Sequence, residues 1–292
     1  MQALWMLLAA FLFASMGVCV KFASSDFNSM ELVFYRGAVG VVFMWGLARV
    51  RGVRLSTAYP MMHLWRSTVG VLSLTAWFYA IAHLPLATAM TLNYMSSIWI
   101  AAFLIGGALL LGRGEAQGSL VLTVLLGFGG VVMLLRPTMA QDQVFAGLIG
   151  LMSGIIAAFA YMQVMALARL GEPDERTVFY FAVGTVIAGL IGMAVIGHSE
   201  WHWHAAVWLL PIGLLASLGQ LCMTRAYSRG STLVVANLQY SGIVFSAIYS
   251  LLLFGDHIPA LGWGGMALIV CCGIASTALR TRAVPNAPAE EH

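Results

Sequence analysis

The chain carries the string VFYRGAVG at residues 33–40 and the string VFYFAVG at residues 178–184. The two strings nearly superimpose once Arg36 is skipped and Gly37 is aligned with Phe181, and they lie about 145 residues apart in a chain of 292. The first copy places Arg36 inside an apolar run, whereas the second copy has Phe181 instead. This repetition indicates that one half of the chain is a copy of the other.

A longer passage repeats at nearly the same distance. The string FYAIAHLPLATAMTLNYMSS at residues 78–97 matches TRAYSRGSTLVVANLQYSGI at residues 224–243, so that Tyr94 pairs with Tyr240. The polar turns that follow the two passages also correspond. The duplication therefore extends well beyond one short motif.

The composition excludes an ordinary soluble domain. Hydrophobic residues make up 61% of the chain and charged residues 9%, whereas soluble domains carry roughly 25% charged residues. A helix that crosses the hydrocarbon core of a bilayer needs roughly 20 apolar residues, and ten such segments can be read along the chain. They cover about residues 3–21, 31–48, 62–82, 86–111, 119–135, 145–168, 177–197, 206–224, 232–254 and 260–279.

These segments predict an all-α, polytopic membrane protein with ten transmembrane helices, because the runs are evenly apolar and do not alternate as barrel strands would. We expect a first five-helix repeat over residues 1–137, a second over residues 138–282 and a polar tail over residues 283–292. Since five is odd, the second repeat must enter the membrane from the opposite side. Inverted repeats of this kind are typical of secondary transporters, whose substrate site lies between the halves near the midplane.

Basic residues predict the orientation through the positive-inside rule. With a cytoplasmic N-terminus, eleven of the fourteen Lys and Arg lie at cytoplasmic ends, and both termini are cytoplasmic. The eleven are Arg49, Arg51, Arg54, Arg66, Arg113, Arg169, Arg176, Arg225, Arg229, Arg280 and Arg282. The outer loop HSEWHWH then contains three histidines, which either bind a metal or help to anchor the loop at the interface: His198, His202 and His204.

Carboxylates are missing from the middle of every apolar segment. All eleven Asp and Glu lie in loops, helix ends or the tail, so proton exchange through a buried acid is not expected unless Glu31 or Asp256 lies deeper than its position suggests. The four cysteines lie in apolar runs without metal spacing, and we expect no metal and no cofactor. A membrane-embedded enzyme is the rival hypothesis, but no HExxH, GxSxG or buried acid pair occurs. A scaffold without transport is the remaining alternative.

Uncharged polar residues within the segments are candidates for substrate binding. Asn93 and Gln239 occupy equivalent places in the two repeats, and each is followed by a tyrosine, Tyr94 or Tyr240. The other candidates are Tyr161, Gln163, Gln220, Trp77, Tyr79 and Ser15. Each of them either bonds a neighbouring helix or lines an aromatic and amide-rich cavity suited to a planar or amphipathic organic solute.

Arg36 is the one charge well inside an apolar segment. It lies about 8 Å from the outer end of its predicted helix at 1.5 Å per residue, which is within snorkelling reach of the interface. Two roles are open for it: a structural role, by snorkelling or by bonding neighbouring carbonyls, and the attraction of an anionic or zwitterionic substrate from the outer side.

Three passages carry a resemblance that covers nearly the whole chain: ELVFYRG, YAIAHLPLATAMTL and YSGIVFSAIYSLLLFGDHIPALGWGG. With its ten segments in two copies, the sequence resembles the EamA family of the drug/metabolite transporter superfamily, of the ten-helix bacterial type. The resemblance implies a multi-pass carrier of the bacterial inner membrane with a central cavity, whose partners are a small-molecule substrate and membrane lipids. It does not imply nucleic-acid binding, and we expect a monomer or a weak homodimer.

The chain departs from that family in three places. It has LGRGE and FGD where the family usually ends its fourth and ninth helices with LGE, and it lacks the proline common in the fourth helix.

Taken together, the apolar segments, the inverted repeats and the resemblance predict a secondary transporter. It moves a small organic metabolite, amino-acid-like, nucleoside-like or otherwise planar or amphipathic, by alternating access.

Overall fold

The computed structural model describes residues 2–96, 98–100, 102–103, 118–135, 143–229, 235 and 238–282. Several predicted features lie outside these residues. They are the tail at 283–292, the end of the fourth segment with Arg113, the loop that contains Arg136, and most of the first turns of the ninth segment.

The described residues form helices and contain no strand. We number the helices α1 Gln2–Ala23, α2 Ser29–Val50, α3 Pro60–His83, α4 Leu86–Tyr94, α5 Gly118–Leu135, α6 Gln143–Arg169, α7 Asp174–Ile196, α8 Trp203–Ala206, α9 Leu209–Arg229, α10 Ser241–Leu253 and α11 Ala260–Arg282. They overlap the predicted apolar segments throughout this part of the chain.

Within the described residues, five helical stretches are long and apolar enough to cross a membrane, and two shorter apolar helices accompany them near the C-terminus. The five stretches are Leu4–Ala23, Ser29–Val50, Gln143–Arg169, Asp174–Ile196 and Trp203–Ser228. Their length and composition agree with the predicted polytopic helical membrane protein.

Local sequence signals fix several helix ends. The Asn28 side chain accepts from the backbone N–H groups of Met30 and Glu31, and the Glu31 carboxylate accepts from the Asn28 N–H at 2.8 Å. This reciprocal capping box starts α2. Pro60 stands at the first position of α3, where its missing N–H is harmless. Gly197 ends α7 with φ of 94°, a backbone conformation that favours glycine.

Two helices are interrupted at the repeated tyrosine motif. Helix α4 ends at Tyr94, and Met95 forms a turn before helical residues resume at 96. In the second half, Tyr240 forms a turn directly before α10. Transporters commonly use such broken helices at their binding sites.

Close backbone approaches join α2 to α7. A Cβ atom added at Gly37 would lie 2.4 Å from Thr185 Oγ1, and one added at Gly189 would lie 2.6 Å from the Phe34 Cα. Small residues in transmembrane helices allow this proximity. The two helices that carry the opening repeated strings are therefore packed directly on each other.

The most extensive helix contacts form four pairs: α2 with α7, α3 with α6, α5 with α11, and α1 with α9. Further contacts join α2 to α9, α3 to α7, α1 to α10 and α4 to α6. The buried core lies where α1, α3 and α4 meet the helices of the second half, and its largest fully buried side chains include Phe78, Met16 and Met90. This arrangement surrounds a cavity in the middle of the bundle.

Candidate functional site

The central cavity lies between helices of both halves and has a volume of about 50 Å³. That is room for a few water molecules and too little for an organic solute. Seven helices contribute to its wall, namely α1, α2, α3, α4, α6, α7 and α9. The wall consists of Phe13, Arg36, Arg66, Gly70, Ser73, Leu74, Trp77, Asn93, Tyr94, Ala157, Ala160, Tyr161, Phe181, Gln220 and Met223.

Two arginines share one aromatic ring in this cavity. The guanidinium carbon of Arg36 lies 5.0 Å from the centroid of the Phe181 ring, and that of Arg66 lies 4.3 Å from it. Arg36 is 5% exposed and Arg66 3% exposed. The Arg36 head group is thus enclosed by the bundle, beside the phenylalanine that replaces it in the second repeated string.

Neither arginine has an acidic neighbour among the described residues. None of the ion pairs found there includes Arg36 or Arg66. No described Asp or Glu lines the cavity either. The positive charge of the site is therefore not balanced by the part of the chain that the structure describes.

Hydrogen bonds to α6 hold the amide in the cavity wall. The Asn93 Nδ2 donates to Ser153 Oγ at 3.1 Å, and Ser153 Oγ donates to the Gly150 carbonyl at 2.6 Å. Helices α4 and α6 approach closely enough that a Cβ added at Gly154 would lie 2.4 Å from the Leu92 carbonyl oxygen. Asn93 is thereby fixed, with its Nδ2 pointing to α6.

A second polar group stands behind Tyr161. Tyr227 Oη donates to Gln239 Oε1 at 2.9 Å, and Gln239 Nε2 donates to Tyr161 Oη at 3.4 Å. The Tyr161 and Tyr227 rings stack with centroids 5.8 Å apart. Gln239 is 1% exposed and supports a residue of the wall without lining it.

Of the eleven predicted site residues, six line the cavity: Arg36, Trp77, Asn93, Tyr94, Tyr161 and Gln220. The other five lie elsewhere. Ser15 shares a hydrogen bond of 3.0 Å with Tyr249 Oη, and Tyr79 stacks on His83 at 4.1 Å. Gln239, Tyr240 and Gln163 also stand outside the wall, the first two buried and the last half-buried.

Sequence reasoning missed the part that Arg66 plays in the wall. The sequence groups it with the basic residues of the cytoplasmic ends under the positive-inside rule. The structure buries it against Phe181 instead. Its depth in the third segment, which is similar to the depth of Arg36 in the second, was the available signal.

One end of the bundle gathers paired charges, and we call it the arginine-rich end: Arg51, His63, Glu172, Asp174, Glu175, Arg176 and Arg225. Arg51 Nη1 and Arg225 Nη2 donate to the same oxygen of Glu175, at 2.5 and 3.0 Å. Arg225 Nε also lies 3.6 Å from Asp174 Oδ2. These contacts tie the end of α2 to α7 and α9.

Glu172 is the second acidic centre of this end. Its Oε2 accepts from Arg176 Nη1 at 3.0 Å and lies 3.1 Å from His63 Nε2, while its Oε1 accepts from Thr57 Oγ1 at 3.0 Å. Burial alone would raise the pKa of the Glu172 carboxyl, but the hydrogen bonds from His63, Arg176 and Thr57 outweigh burial and hold that pKa below its ordinary value.

The opposite end has a smaller polar cluster around Asp26. His202 Nδ1 and His204 Nε2 each lie 3.3 Å from one Asp26 oxygen. A hydrogen bond from Ser25 lowers the pKa of the Asp26 carboxyl, and the two histidines add to the effect. Within the described residues no group of His, Cys, Asp and Glu is placed to hold a metal ion. Glu31 closes this end by accepting from Ser199 N and Oγ.

Comparison with known proteins gives consistent matches. A model of the EamA-like transporter family matches residues 1–136. The pseudopaline exporter CntI of Pseudomonas aeruginosa (strain UCBPP-PA14) is 35% identical over 270 residues, which cover 91% of this chain and 92% of the exporter. A riboflavin transporter of Rhizobium johnstonii is 25% identical over 278 residues, covering 93% of this chain and 89% of its own. A solved crystal structure matches with a TM-score of 0.68 at 17% identity and covers 98% of this chain and 99% of its own, a likeness of fold.

Proposed function

The chain belongs to the EamA-like transporter family, and on that premise we propose that it moves a small organic metabolite across the membrane by alternating access through the central cavity. The family and the relatives are transporters and not enzymes. The single observation that carries the proposal is a central cavity whose wall is built from helices of both halves of the chain and includes two arginines and two amide side chains.

An internal symmetry of the packing supports the inverted repeats, residues 1–137 and 138–282. In this proposal α1, α2, α3, α4 and α5 correspond to α6, α7, α9, α10 and α11. Exchanging the halves converts the contact of α3 with α6 into that of α9 with α1, and the contact of α4 with α6 into that of α10 with α1. The contacts of α2 with α7 and of α5 with α11 convert into themselves. Two equivalent halves can rock against each other around a fixed site.

The size of the cavity supports a conformational cycle. A volume of about 50 Å³ is far below the several hundred Å³ of sites that bind organic ligands. A solute therefore needs the bundle to open. The polar clusters at the two ends are the contacts that have to separate, the arginine-rich end for one opening and the Asp26 end for the other.

The relatives name the solutes to test first. One relative exports pseudopaline and another transports riboflavin. We accordingly assign to this chain an organic solute of metabolite size. Aromatic side chains and amides in the cavity wall, including Trp77, Tyr94 and Asn93, suit such a molecule through stacking and hydrogen bonds.

The transport proposal is tested in proteoliposomes that contain the full-length chain, with pseudopaline and then riboflavin supplied on either side. We expect saturable flux of an unaltered solute. Ala160→Phe, which fills the cavity wall, should abolish the saturable flux, whereas Leu148→Phe on the exposed side of the same helix should leave it intact. Flux that survives Ala160→Phe in a folded protein would exclude the cavity as the route.

We also place the protein in the bacterial inner membrane with both termini in the cytoplasm, because the basic residues favour that orientation. A C-terminal alkaline phosphatase fusion should then be inactive. Phosphatase activity in the periplasm would reverse the orientation and exchange the inner and outer ends of the molecule.

A further inference from the structure

Several buried hydrogen-bond donors around the central cavity have no partner among the described residues. They are Nε of Arg36, Nε and Nη1 of Arg66, Nε1 of Trp77 and Oη of Tyr94. All four side chains belong to the cavity wall. Arginine and tryptophan nitrogens can only donate hydrogen bonds. The wall therefore has more donors than it has acceptors to pair with them.

Leaving such groups unpaired is costly. A buried donor without a partner loses its hydration without compensation, and a buried charge loses more. Native proteins rarely keep unpaired groups in the interior without a functional reason. Here they converge from α2, α3 and α4 on one space, which indicates that the missing acceptors arrive with a ligand.

The Phe181 ring offsets part of the cost for the two arginines. Guanidinium groups within about 6 Å of a ring centroid are attracted to its face, and both arginines satisfy that distance. The ring carries no negative charge, however, and it accepts no hydrogen bond from the free N–H groups. Because both guanidinium carbons are measured from the same centroid, they are no farther apart than the sum of the two distances. A single small molecule can reach both.

From this geometry we propose that the cavity recognises an organic anion and that Arg36 and Arg66 bind its carboxylate groups. The inference rests on the proposed transport function and adds the chemical class of the solute. Arginine pairs with carboxylates through two parallel hydrogen bonds. Two arginines facing one cavity fit a solute with two carboxylates better than a solute with one.

The charge of the wall also disfavours other classes of solute. A cationic solute would meet two guanidinium groups and no described acidic side chain. The ammonium group of a zwitterion would depend on neutral acceptors such as the Gln220 and Asn93 carbonyl oxygens. Trp77 Nε1 and Tyr94 Oη supply additional donors for carboxylate oxygens.

The absence of a side chain at position 70 makes room for Arg66. A Cβ added at Gly70 would lie 2.0 Å from Arg66 Nη1 and 2.8 Å from the Phe181 ring. The guanidinium therefore occupies the space that a side chain at position 70 would take. Gly70→Ala should displace the Arg66 head group without changing the charge of the cavity.

Binding of defined probes tests the inference. We would titrate the purified full-length protein with the saturated dicarboxylates from malonate to adipate and with glutaramide, the uncharged analogue of glutarate, following thermal unfolding and heats of binding. At least one dicarboxylate should bind and raise the unfolding temperature, since a ligand of the native state stabilises it. Glutaramide should not. If no dicarboxylate binds, or if glutaramide binds as well as glutarate, the proposal is wrong.

Matched variants locate the site. Arg36→Gln and Arg66→Gln should each weaken dicarboxylate binding about ten- to a hundred-fold, the usual value of hydrogen bonds to charged groups. The control is Arg49→Gln, because Arg49 also lies over an aromatic ring, Trp45 at 5.0 Å, but is exposed. If either glutamine variant fails to fold, Gly70→Ala provides the second test and should also weaken binding. Equal losses in Arg49→Gln, or none in the cavity variants, would overturn the assignment.

The outcome is separable from the transport proposal. Dicarboxylate binding without flux of any solute would leave the anion site in place and contradict transport through the cavity. Flux of pseudopaline or riboflavin that dicarboxylates do not inhibit, and that persists in Arg36→Gln and Arg66→Gln, would leave transport in place and contradict the anion site.

Discussion

Arginines occur in two contrasting surroundings in this molecule. At the arginine-rich end, Arg51 and Arg225 share the Glu175 carboxylate at 2.5 and 3.0 Å. In the central cavity, Arg36 and Arg66 share only the Phe181 ring, and no described carboxylate contacts them. All four residues are arginines, but only the first two have a carboxylate that compensates their charge.

The difference separates structural charges from charges that are free to bind. A buried ion pair that loses one partner leaves a charge without compensation, so both members are needed for the stability of the fold. Charges that the protein itself does not neutralise are available to bind a ligand, and they destabilise the folded protein while no ligand is bound. Functional sites are where proteins accept that cost. The comparison predicts opposite responses to the same kind of substitution.

The largest effect is expected from breaking the paired end. Glu175→Gln should lower the free energy of unfolding by about 2–3 kcal/mol, because two charge-assisted hydrogen bonds lose their acceptor charge. Unfolding in mixed detergent micelles measures this, and Glu200→Gln, at an exposed position, is the control. A loss no greater than that of Glu200→Gln would show that the end is held by packing alone.

The next prediction makes one substitution in both surroundings. Arg225→Gln should lower the free energy of unfolding by about 2 kcal/mol, because Glu175 loses one of its two arginine partners and Asp174 loses the nearby Arg225 charge. Arg66→Gln should leave the empty protein unchanged or raise that free energy by about 1 kcal/mol, because it removes a buried charge without a carboxylate partner. If the two variants lose stability equally, Arg66 has a partner in the folded protein and the contrast fails.

The sequence was sufficient to predict the helices of the fold. Apolar length predicts where helices lie, and the described helices overlap the predicted segments. Arg36 could be singled out because a charge inside an apolar run is costly. Arg66 was not singled out, because a basic residue near a helix end is the ordinary product of the positive-inside rule, although it lies about as deep in its segment as Arg36 does. The packing of α3 against α7 shows that Arg66 is buried.

Rotation about the helix axis explains why some candidate residues lie outside the cavity. Trp77 and Tyr79 are two residues apart, as are Tyr161 and Gln163. At 3.6 residues per turn, positions two apart point to nearly opposite sides of a helix. One member of each pair lines the cavity and the other does not. Residue type alone could not determine which member of each pair faces the cavity. The spacing of two residues, however, already indicated that both members of a pair could not face it.

A smaller effect concerns the aromatic ring between the cavity arginines. A double-mutant cycle of Phe181→Leu with Arg66→Gln should give a coupling of about 1–2 kcal/mol, the range for a desolvated cation–π contact. The matched cycle is Trp45→Leu with Arg49→Gln at the exposed pair, and it should give about 0.5 kcal/mol. Equal couplings in the two cycles would mean that the cavity is as hydrated as the surface, and the unpaired arginines would then need no ligand.

The smallest expected effect is a response of the paired end to acid. The pKa of the Glu172 carboxyl lies below its ordinary value because the bonds from His63, Arg176 and Thr57 outweigh burial. The stabilisation is therefore complete above the ordinary pKa of a glutamate, 4.5, and is lost as the pH falls through the lower, folded value. Glu172→Gln should be less stable than the native chain by under about 1 kcal/mol at neutral pH, allowing for solvent screening. That deficit should shrink below pH 4.5 in unfolding titrations.

The difference in stability between Arg66→Gln and the native chain should not change over the same pH interval, because no described carboxylate lines the cavity. A deficit of Glu172→Gln that persists in acid would contradict the ion-paired role of Glu172. An acid response in the Arg66 comparison would place a carboxylate next to the cavity after all.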